Sequence, residues 1–219
     1  MRPQGLIFDL DGTLVDSMNV WKKIDIQYLN KFGLQLPDDL QQEIEGYSFT
    51  QTAEYFKKRF QIPDSVEEIK KDWNRMVMNI YSNEVALKKG ARALLERAEQ
   101  NKIPCAIATS NSIELVQAVL RSNGVEKYFN AIVTGCDVGK SKPEPDVYLE
   151  AARRLKVTSA ECLVFEDILA GIAGAHNAGM QVVAISDAYS EYQEEDKKKN
   201  ADYYVKDFEE FLQTYPDFL

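Results

Sequence analysis

The chain has 219 residues, of which 45% are hydrophobic and 28% charged, and this ordinary globular composition excludes an intrinsically disordered protein. Its formal net charge of −9 repels a phosphate backbone, which argues against nucleic-acid binding as the main role. No apolar run reaches transmembrane length, the first residues lack a signal peptide's apolar core and no cysteines have CxxC spacing, so we expect a cytoplasmic protein with reduced thiols and no membrane contact.

Short apolar runs alternate with segments of helical spacing along most of the chain. The runs are typical of strands buried on both faces, and they cover 6–8, 103–108, 131–133, 163–165, 181–185 and 203–205. Helical spacing is found at 113–120, 145–155 and 168–178, and the densely charged segment 191–200 predicts a solvated helix or loop. The alternation predicts an α/β fold with a doubly wound parallel sheet and right-handed crossovers.

The first strand is followed by about seventy residues with helical patterns only, which is far longer than an ordinary crossover. Four breaks divide this segment into about four helices, at Gly33, Pro37, Gly46 and Pro63. An apolar face at helical spacing is formed by Trp21, Ile24, Tyr28 and Phe32. We therefore predict a helical insert at 16–88 and a core domain made of 1–15 and 89–219.

An acid pair, Asp9 and Asp11, follows the first predicted strand directly and is followed by Gly12. Ligands of open α/β sheets bind at the carboxyl ends of the strands, and glycine allows a sharp turn there. Adjacent carboxylates repel each other unless a cation holds both ionised, and Mg²⁺ prefers oxygen ligands. The pair therefore indicates a magnesium site, although a surface turn rich in Asp and Gly would have the same pattern.

Three further polar groups come at predicted strand ends. Thr109, Ser110 and Asn111 precede a helix, where hydroxyl and free N–H groups suit either a phosphate or a plain N-cap. Lys142 is held before a rigid proline pair, and Glu166 and Asp167 end an apolar strand. Because parallel strands end at one edge, all of these groups can converge there, and acids, donors and a lysine are the set that phosphoryl transfer needs.

These motifs resemble those of the haloacid dehalogenase-like hydrolase superfamily, in the branch that includes β-phosphoglucomutase and phosphoglycolate phosphatase. The family's first motif is matched by Asp9-Leu10-Asp11-Gly12-Thr13, its second by Thr109-Ser110 and its third by Lys142-Pro143-Glu144-Pro145-Asp146. Its fourth motif is matched by Val164-Phe165-Glu166-Asp167 with Gly171-Ile172 and Ala178-Gly179-Met180. The resemblance implies a Rossmann-like catalytic core, and it implies that the insert at 16–88 is the family's helical cap.

The resemblance also implies a role for each matching residue. Asp9 would attack phosphorus and become an aspartyl-phosphate, and Asp11 would act as general acid and then as general base. Mg²⁺ would be bound by the Asp9 carboxylate, the backbone carbonyl of Asp11 and the Asp167 carboxylate. Glu166 would be either a further ligand or a hydrogen-bond acceptor behind the ligands. The phosphoryl group would be held by Thr109, Ser110, Asn111 and Lys142.

The resemblance implies a phosphatase for a small phosphorylated metabolite, acting as a monomer or a weak homodimer. The alternatives are a sugar phosphomutase and a non-catalytic phosphometabolite-binding protein. The mutase is disfavoured because Trp21 stands where β-phosphoglucomutase has a cap histidine and because 46–50 lacks its cap arginine. We expect cap residues to select the substrate, among them Trp21, Tyr47, Phe49 and Thr50, although Trp21 and Tyr47 could instead pack the cap helices together. The only histidine, His176, is expected on a helical face packed near the sheet.

Overall fold

The computed structural model describes residues 2–218. Six strands form one parallel sheet in the order β3-β2-β1-β4-β5-β6. They are β1 Gly5–Phe8, β2 Cys105–Thr109, β3 Phe129–Thr134, β4 Cys162–Glu166, β5 Gln181–Ile185 and β6 Tyr203–Val205. Each strand overlaps one of the six predicted runs, so the predicted parallel sheet is confirmed.

Four helices lie between β1 and β2 within the predicted insert, which is the number expected from its glycine and proline breaks. They are α1 Met18–Asn30, α2 Leu40–Ile44, α3 Phe49–Phe60 and α4 Val66–Asn83. Capping boxes begin α3 and α4, where Ser48 pairs with Gln51 and Ser65 pairs with Glu68. We call α1–α4 and their loops the cap; the domain boundaries at 16–88 stay a prediction.

The remaining helices cover both faces of the sheet. They are α5 Ala91–Gln100, α6 Ile113–Ser122, α7 Gly135–Val138, α8 Asp146–Leu155, α9 Leu169–Asn177, α10 Glu194–Asn200 and α11 Phe208–Thr214. In β1, Leu6 and Phe8 pack into the apolar cluster of α5, α6 and α11, whereas Ile7 packs into the cluster of α8 and α9. Because successive strand side chains face opposite sides, this alternation is what a doubly wound sheet requires.

The cap has an aromatic core that is continuous with one face of the sheet. Trp73 packs edge-on against Tyr28 and Phe56, with ring centroids 5.7 and 4.9 Å apart, a favourable arrangement for aromatic pairs. The indole N–H of Trp73 is buried and has no acceptor among residues 2–218. No helix in that range is both long and apolar enough to cross a membrane.

The charged segment near the end of the chain differs in part from its prediction. It forms a 3₁₀ helix, Ala188–Gln193, followed by α10, so the helix is confirmed. The expectation of a solvated segment is wrong at Lys197, which is fully buried. Its ammonium donates to the backbone carbonyl of Asp167 and to the Ser190 hydroxyl, both at 2.9 Å, and these bonds offset the cost of burial.

All three cysteines are free thiols in the described structure. Cys105 and Cys162 are buried in strands, as their apolar surroundings predict, and burial raises the pKa of Cys105 to about 12. Cys136 is exposed instead, on the short helix α7.

Candidate active site

The strand order reverses at β1, and the polar groups predicted from the sequence meet at this point. Asp9 follows β1, Thr109 ends β2, and Glu166 with Asp167 ends β4. The N–H of Asp9 donates to the carbonyl of Phe165 at 3.0 Å, which holds the ends of β1 and β4 side by side. A crevice at such a reversal, outside the carboxyl ends, is the usual ligand site of doubly wound sheets.

A group of three buried carboxylates lies at this edge. One oxygen each of Asp9, Glu166 and Asp167 lies within 4.8 Å of the others. Burial raises the pKa of Asp9 well above its ordinary value; Lys142 lowers it, and the carboxylates of Glu166 and Asp167 raise it further. Burial and the neighbouring Glu166 raise the pKa of Asp167 to about 7.

These carboxylates fit a divalent cation, because a hard cation relieves the mutual repulsion of the three neighbouring acids. The backbone leaves room for the group as well. Gly12 has φ +83°, and a Cβ there would collide with the Asp167 carboxylate, so glycine is required on both grounds. Thr13 donates to Asp167 Oδ1 at 2.8 Å and fixes the orientation of that carboxylate.

Lys142 supplies the positive charge of this edge and is itself buried. Its ammonium lies 2.6 Å from Asp9 Oδ1 and forms an ion pair with Glu166 Oε1. Burial alone would lower the pKa of Lys142, but Asp9 and Glu166 raise it well above its ordinary value. The other contacts of Glu166 are the Tyr148 hydroxyl, 2.6 Å from Oε1, and the N–H of Asp167, 3.2 Å from Oε2. Both Glu166 oxygens therefore have donors within the protein.

The Asp11 carboxylate lies among donors from the cap and from the loop after β2. Ser17 donates to Oδ1 at 2.6 Å, and the Asn111 amide donates to Oδ2 at 2.8 Å. The hydroxyl of Tyr81, at the end of α4, also donates to Oδ1. In turn the indole N–H of Trp21 donates to the Tyr81 hydroxyl at 2.7 Å. A carboxylate held by so many donors has a fixed orientation, as an acid–base group requires.

The loop after β2 is bonded to the cap segment 46–49. The Ser110 carbonyl accepts from the N–H of Phe49 at 2.8 Å, and the Ser110 hydroxyl donates to the Gly46 carbonyl at 3.4 Å. Gly46 has φ +78°, and a Cβ there would lie 2.8 Å from the Lys142 carbonyl, so only glycine allows this approach. The cap therefore rests directly on the loops that present Ser110 and Lys142.

A cavity of about 180 Å³ lies between the cap and the sheet edge. Every site residue predicted from the sequence lines it, namely Asp9, Asp11, Thr109, Ser110, Asn111, Lys142 and Asp167. Trp21, Tyr47 and Phe49 line the cap side as expected, and Trp21 also packs against Phe49 and Tyr81. Thr50 does not share that wall but contacts Cys136 Sγ at 3.3 Å.

His176 lies elsewhere, on α9, and is exposed rather than packed near the sheet. Its imidazole Nε2 is 3.0 Å from a carboxylate oxygen of Asp202. The side chain therefore belongs to the surface of the core.

Several residues that line the cavity or contact its side chains were not identified from the sequence. Tyr81 continues an apolar helical pattern with Trp73 and Val77, so it is indistinguishable there from a core residue. Asp25 gave the clearest unused signal, because it is an acid four residues after Trp21, beside an otherwise apolar face. Further polar groups of the wall lie on α2 and directly after it, at Gln41 and Glu45, and on the 3₁₀ helix Ala188–Gln193, at Tyr189 and Tyr192.

The comparisons with known proteins agree with this geometry. The model of the family described as haloacid dehalogenase-like hydrolase matches residues 6–185. Hexitol phosphatase A of Escherichia coli is 32% identical over 85% of this chain and 84% of its own length. The phosphorylated carbohydrates phosphatase of Thermotoga maritima is 30% identical over 81% and 82%, respectively.

A solved structure has the same fold over nearly the whole chain. CbbY from Rhodobacter sphaeroides, crystallised in complex with phosphate, superimposes with a TM-score of 0.86. The alignment covers 95% of this chain and 96% of that chain at 23% identity.

Proposed function

Because this chain belongs to the haloacid dehalogenase-like hydrolases, we propose that its cavity hydrolyses a small phosphate monoester through an aspartyl-phosphate on Asp9. The protein is a phosphatase of this family, since two relatives at 30% identity or more over at least four-fifths of its length are phosphatases of phosphorylated carbohydrates and hexitols. The observation that carries the residue-level proposal is the buried contact of 2.6 Å between Lys142 and Asp9 at the cavity wall.

In the first half-reaction, the Asp9 carboxylate attacks phosphorus and the ester bond to the leaving oxygen breaks. Lys142 lies close enough to Asp9 to neutralise charge on the phosphoryl oxygens as it develops. Asp11 gives its proton to the leaving oxygen, so that the product departs as a neutral alcohol. In the second half-reaction, Asp11 takes a proton from the attacking water, and the acyl-phosphate bond breaks to release phosphate and restore Asp9.

The metal site of this proposal consists of the Asp9 carboxylate, the Asp11 backbone carbonyl and the Asp167 carboxylate. Mg²⁺ bound there would neutralise negative charge during phosphoryl transfer. Glu166 is assigned to the acceptor role behind the ligands, because both of its oxygens already accept hydrogen bonds from Lys142, Tyr148 and Asp167. In this role Glu166 fixes the ammonium of Lys142 beside Asp9.

Thr109 and Lys142 are the proposed hydrogen-bond donors to the phosphate. The hydrogen bonds of Ser110 and Asn111 indicate different roles for their side chains. The side-chain amide of Asn111 donates to Asp11, and the hydroxyl of Ser110 donates to a backbone carbonyl of the cap. The backbone N–H of Asn111 donates to the Thr109 hydroxyl at 3.1 Å, so the backbone N–H of Ser110 and the proton of the Thr109 hydroxyl remain the candidates for direct phosphate contact. Among described residues that line the cavity, Lys142 is the sole cation, which disfavours a mutase that must hold a second phosphate.

The test is phosphate release from sugar phosphates, polyol phosphates and phosphoglycolate, with Mg²⁺ and with a chelator. We expect release to require Mg²⁺ and to be abolished in Asp9→Asn. Asp16→Asn is the matched control, because Asp16 is an exposed carboxylate seven residues away. Release that persists in Asp9→Asn would refute the assigned nucleophile, and rearrangement of sugar phosphates without release would replace the phosphatase with a mutase.

A further inference from the structure

The cavity contains a further buried carboxylate, Asp25, which the proposed hydrolysis does not use. Asp25 lies on α1, lines the cavity and is only 5% exposed. Its Oδ2 accepts a hydrogen bond from the Gln41 amide at 3.2 Å, and Oδ1 has no partner among residues 2–218. Burial raises the pKa of Asp25 to about 7. A buried carboxylate with one neutral donor is costly, and such groups occur mainly at functional sites.

The position of Asp25 along α1 places it away from the reacting atoms. Ser17, the N-cap of α1, donates to Asp11, and Trp21 and Asp25 follow at intervals of four residues. A helix rises about 1.5 Å per residue, so Asp25 lies roughly 12 Å along the axis beyond Ser17. A phosphate at Asp9 would therefore place its leaving group, and not its phosphorus, beside Asp25.

The surroundings of Asp25 determine which leaving groups fit. Glu45 also lines this side of the cavity, where it accepts hydrogen bonds from the Tyr192 hydroxyl at 2.8 Å and from the Gln193 amide. Glu45 is thus satisfied by the protein, whereas Asp25 has a free oxygen. Lys142, the one cation among the described lining residues, is already paired with Asp9 and Glu166, so a second phosphate or a carboxylate beside Asp25 and Glu45 would meet like charge with no compensation.

We infer that Asp25, oriented by Gln41, accepts a hydrogen bond from a hydroxyl of the leaving group and so selects polyhydroxylated monophosphates over bisphosphates. This inference rests on the proposed phosphatase function. The rings of Trp21, Tyr47 and Phe49 form apolar walls suited to the carbon chain between the phosphate and that hydroxyl. A site built to bond a hydroxyl rejects the analogue that lacks it, because the buried acceptor is then left unpaired.

The test compares four substrates on the wild type, Asp25→Asn, Asp25→Leu and the control Asp38→Asn, whose carboxylate is exposed in the same insert. The substrates are sorbitol monophosphate, the n-hexyl phosphate that lacks its hydroxyls, sorbitol bisphosphate and p-nitrophenyl phosphate. We expect Asp25→Leu to lower kcat/KM for sorbitol monophosphate at least about tenfold, since a hydrogen bond to a charged group is lost. Turnover of p-nitrophenyl phosphate, which has no distal hydroxyl, should stay within about twofold.

The charge is tested separately by Asp25→Asn, which keeps the shape and removes the repulsion. It should narrow the wild-type preference for sorbitol monophosphate over the bisphosphate by at least about tenfold. The inference is overturned if the wild type prefers the hexyl phosphate or the bisphosphate, or if the Asp25 variants lower all four substrates equally.

Failure of the phosphatase proposal itself is recognised separately, because the wild type would then be inactive on p-nitrophenyl phosphate. In that case calorimetric binding of sorbitol monophosphate and bisphosphate decides the point. Tighter binding of the monophosphate by the wild type, and loss of that difference in Asp25→Asn, would support the role of Asp25, and equal affinities would overturn it.

Discussion

Buried charge is compensated differently at the sheet edge and in the cap. At the edge, the Lys142 ammonium lies between Asp9 and Glu166, and each of these groups has an opposite charge. In the cap, Asp25 has a single neutral donor, Gln41. The sheet edge can therefore stabilise negative charge that develops during a reaction. The cap instead has a carboxylate oxygen that a hydroxyl of a ligand could pair with. In the proposals above, chemistry and selectivity therefore have separate physical origins in one cavity.

The largest effect is expected when the edge loses its cation. Lys142→Gln should lower kcat/KM by about 10²–10³-fold, as for removal of one donor to transition-state charge. It should also destabilise the fold by about 3–5 kcal/mol, because Asp9 and Glu166 are left buried without an opposite charge. Phosphate release and chemical denaturation measure the two effects. Lys140→Gln, on an exposed lysine, is the control, and a variant with wild-type activity would contradict the role of Lys142.

Removal of the buried charge in the cap should raise stability rather than lower it, because the Asp25 carboxylate has no opposite charge beside it. The folded pKa of Asp25 is about 7 and its ordinary value is 3.8, so the folded state holds the proton more tightly between these values. Stability from this group is present below about pH 4 and lost as pH rises through 7. Asp25→Asn, which cannot ionise, should therefore be more stable than the wild type at pH 8, by up to about 4 kcal/mol.

Urea unfolding at pH 8 and at pH 4 checks this prediction, because the difference between the two proteins should vanish at the lower pH. Other buried acids titrate in both proteins and cancel in the comparison. A difference that is independent of pH, or a wild type that is more stable at pH 8, would show that the Asp25 carboxylate is already compensated.

A smaller effect is expected where the two regions meet at Asp11. Tyr81→Phe removes one of the donors to the Asp11 carboxylate and the hydroxyl that accepts from the Trp21 indole N–H. We expect kcat to fall about tenfold with little change in KM, since orientation of the acid–base group is weakened while the substrate contacts stay. Steady-state kinetics separate the two constants. Tyr55→Phe, on a cap tyrosine outside the cavity wall, should be neutral, and an equal loss there would point to a general effect on cap packing.

The smallest effect is expected at His176, whose imidazole contacts Asp202 at the surface. His176→Ala should leave kcat/KM within about twofold and cost at most about 1 kcal/mol, as for other exposed pairs. Parallel assays of phosphate release and thermal unfolding would measure both. A large loss of activity would mean that the exposed face of α9 takes part in the reaction.

The sheet and its polar edge could be predicted from the sequence because both are local features. Buried parallel strands are continuous apolar runs, and residues at their carboxyl ends converge whatever lies between them. Asp9, Lys142 and Asp167 could therefore be assigned to one crevice although they lie far apart in the chain. The predicted catalytic, phosphate and metal residues line the same cavity, whereas the predicted cap residue Thr50 does not.

The contacts that cap residues make with the site could not be predicted in the same way, because they depend on packing between helices. Tyr81 follows the same spacing as the buried Trp73 and Val77, and only its position at the end of α4 brings its hydroxyl to Asp11. The burial of Lys197 likewise depends on a carbonyl thirty residues earlier, that of Asp167, which no local pattern indicates. The roles of residues that depend on such long-range contacts can be assigned only from the three-dimensional structure.

The covalent role of Asp9 is tested most directly by trapping the phosphorylated protein. The wild type is mixed with substrate and Mg²⁺, quenched in acid within the first turnover, digested and mapped by mass spectrometry. One added phosphoryl group is expected on the peptide that contains Asp9, it should be released by hydroxylamine, and it should be absent from Asp9→Asn. Turnover with no labelled peptide, or with the phosphoryl group on another residue, would contradict nucleophilic attack by Asp9.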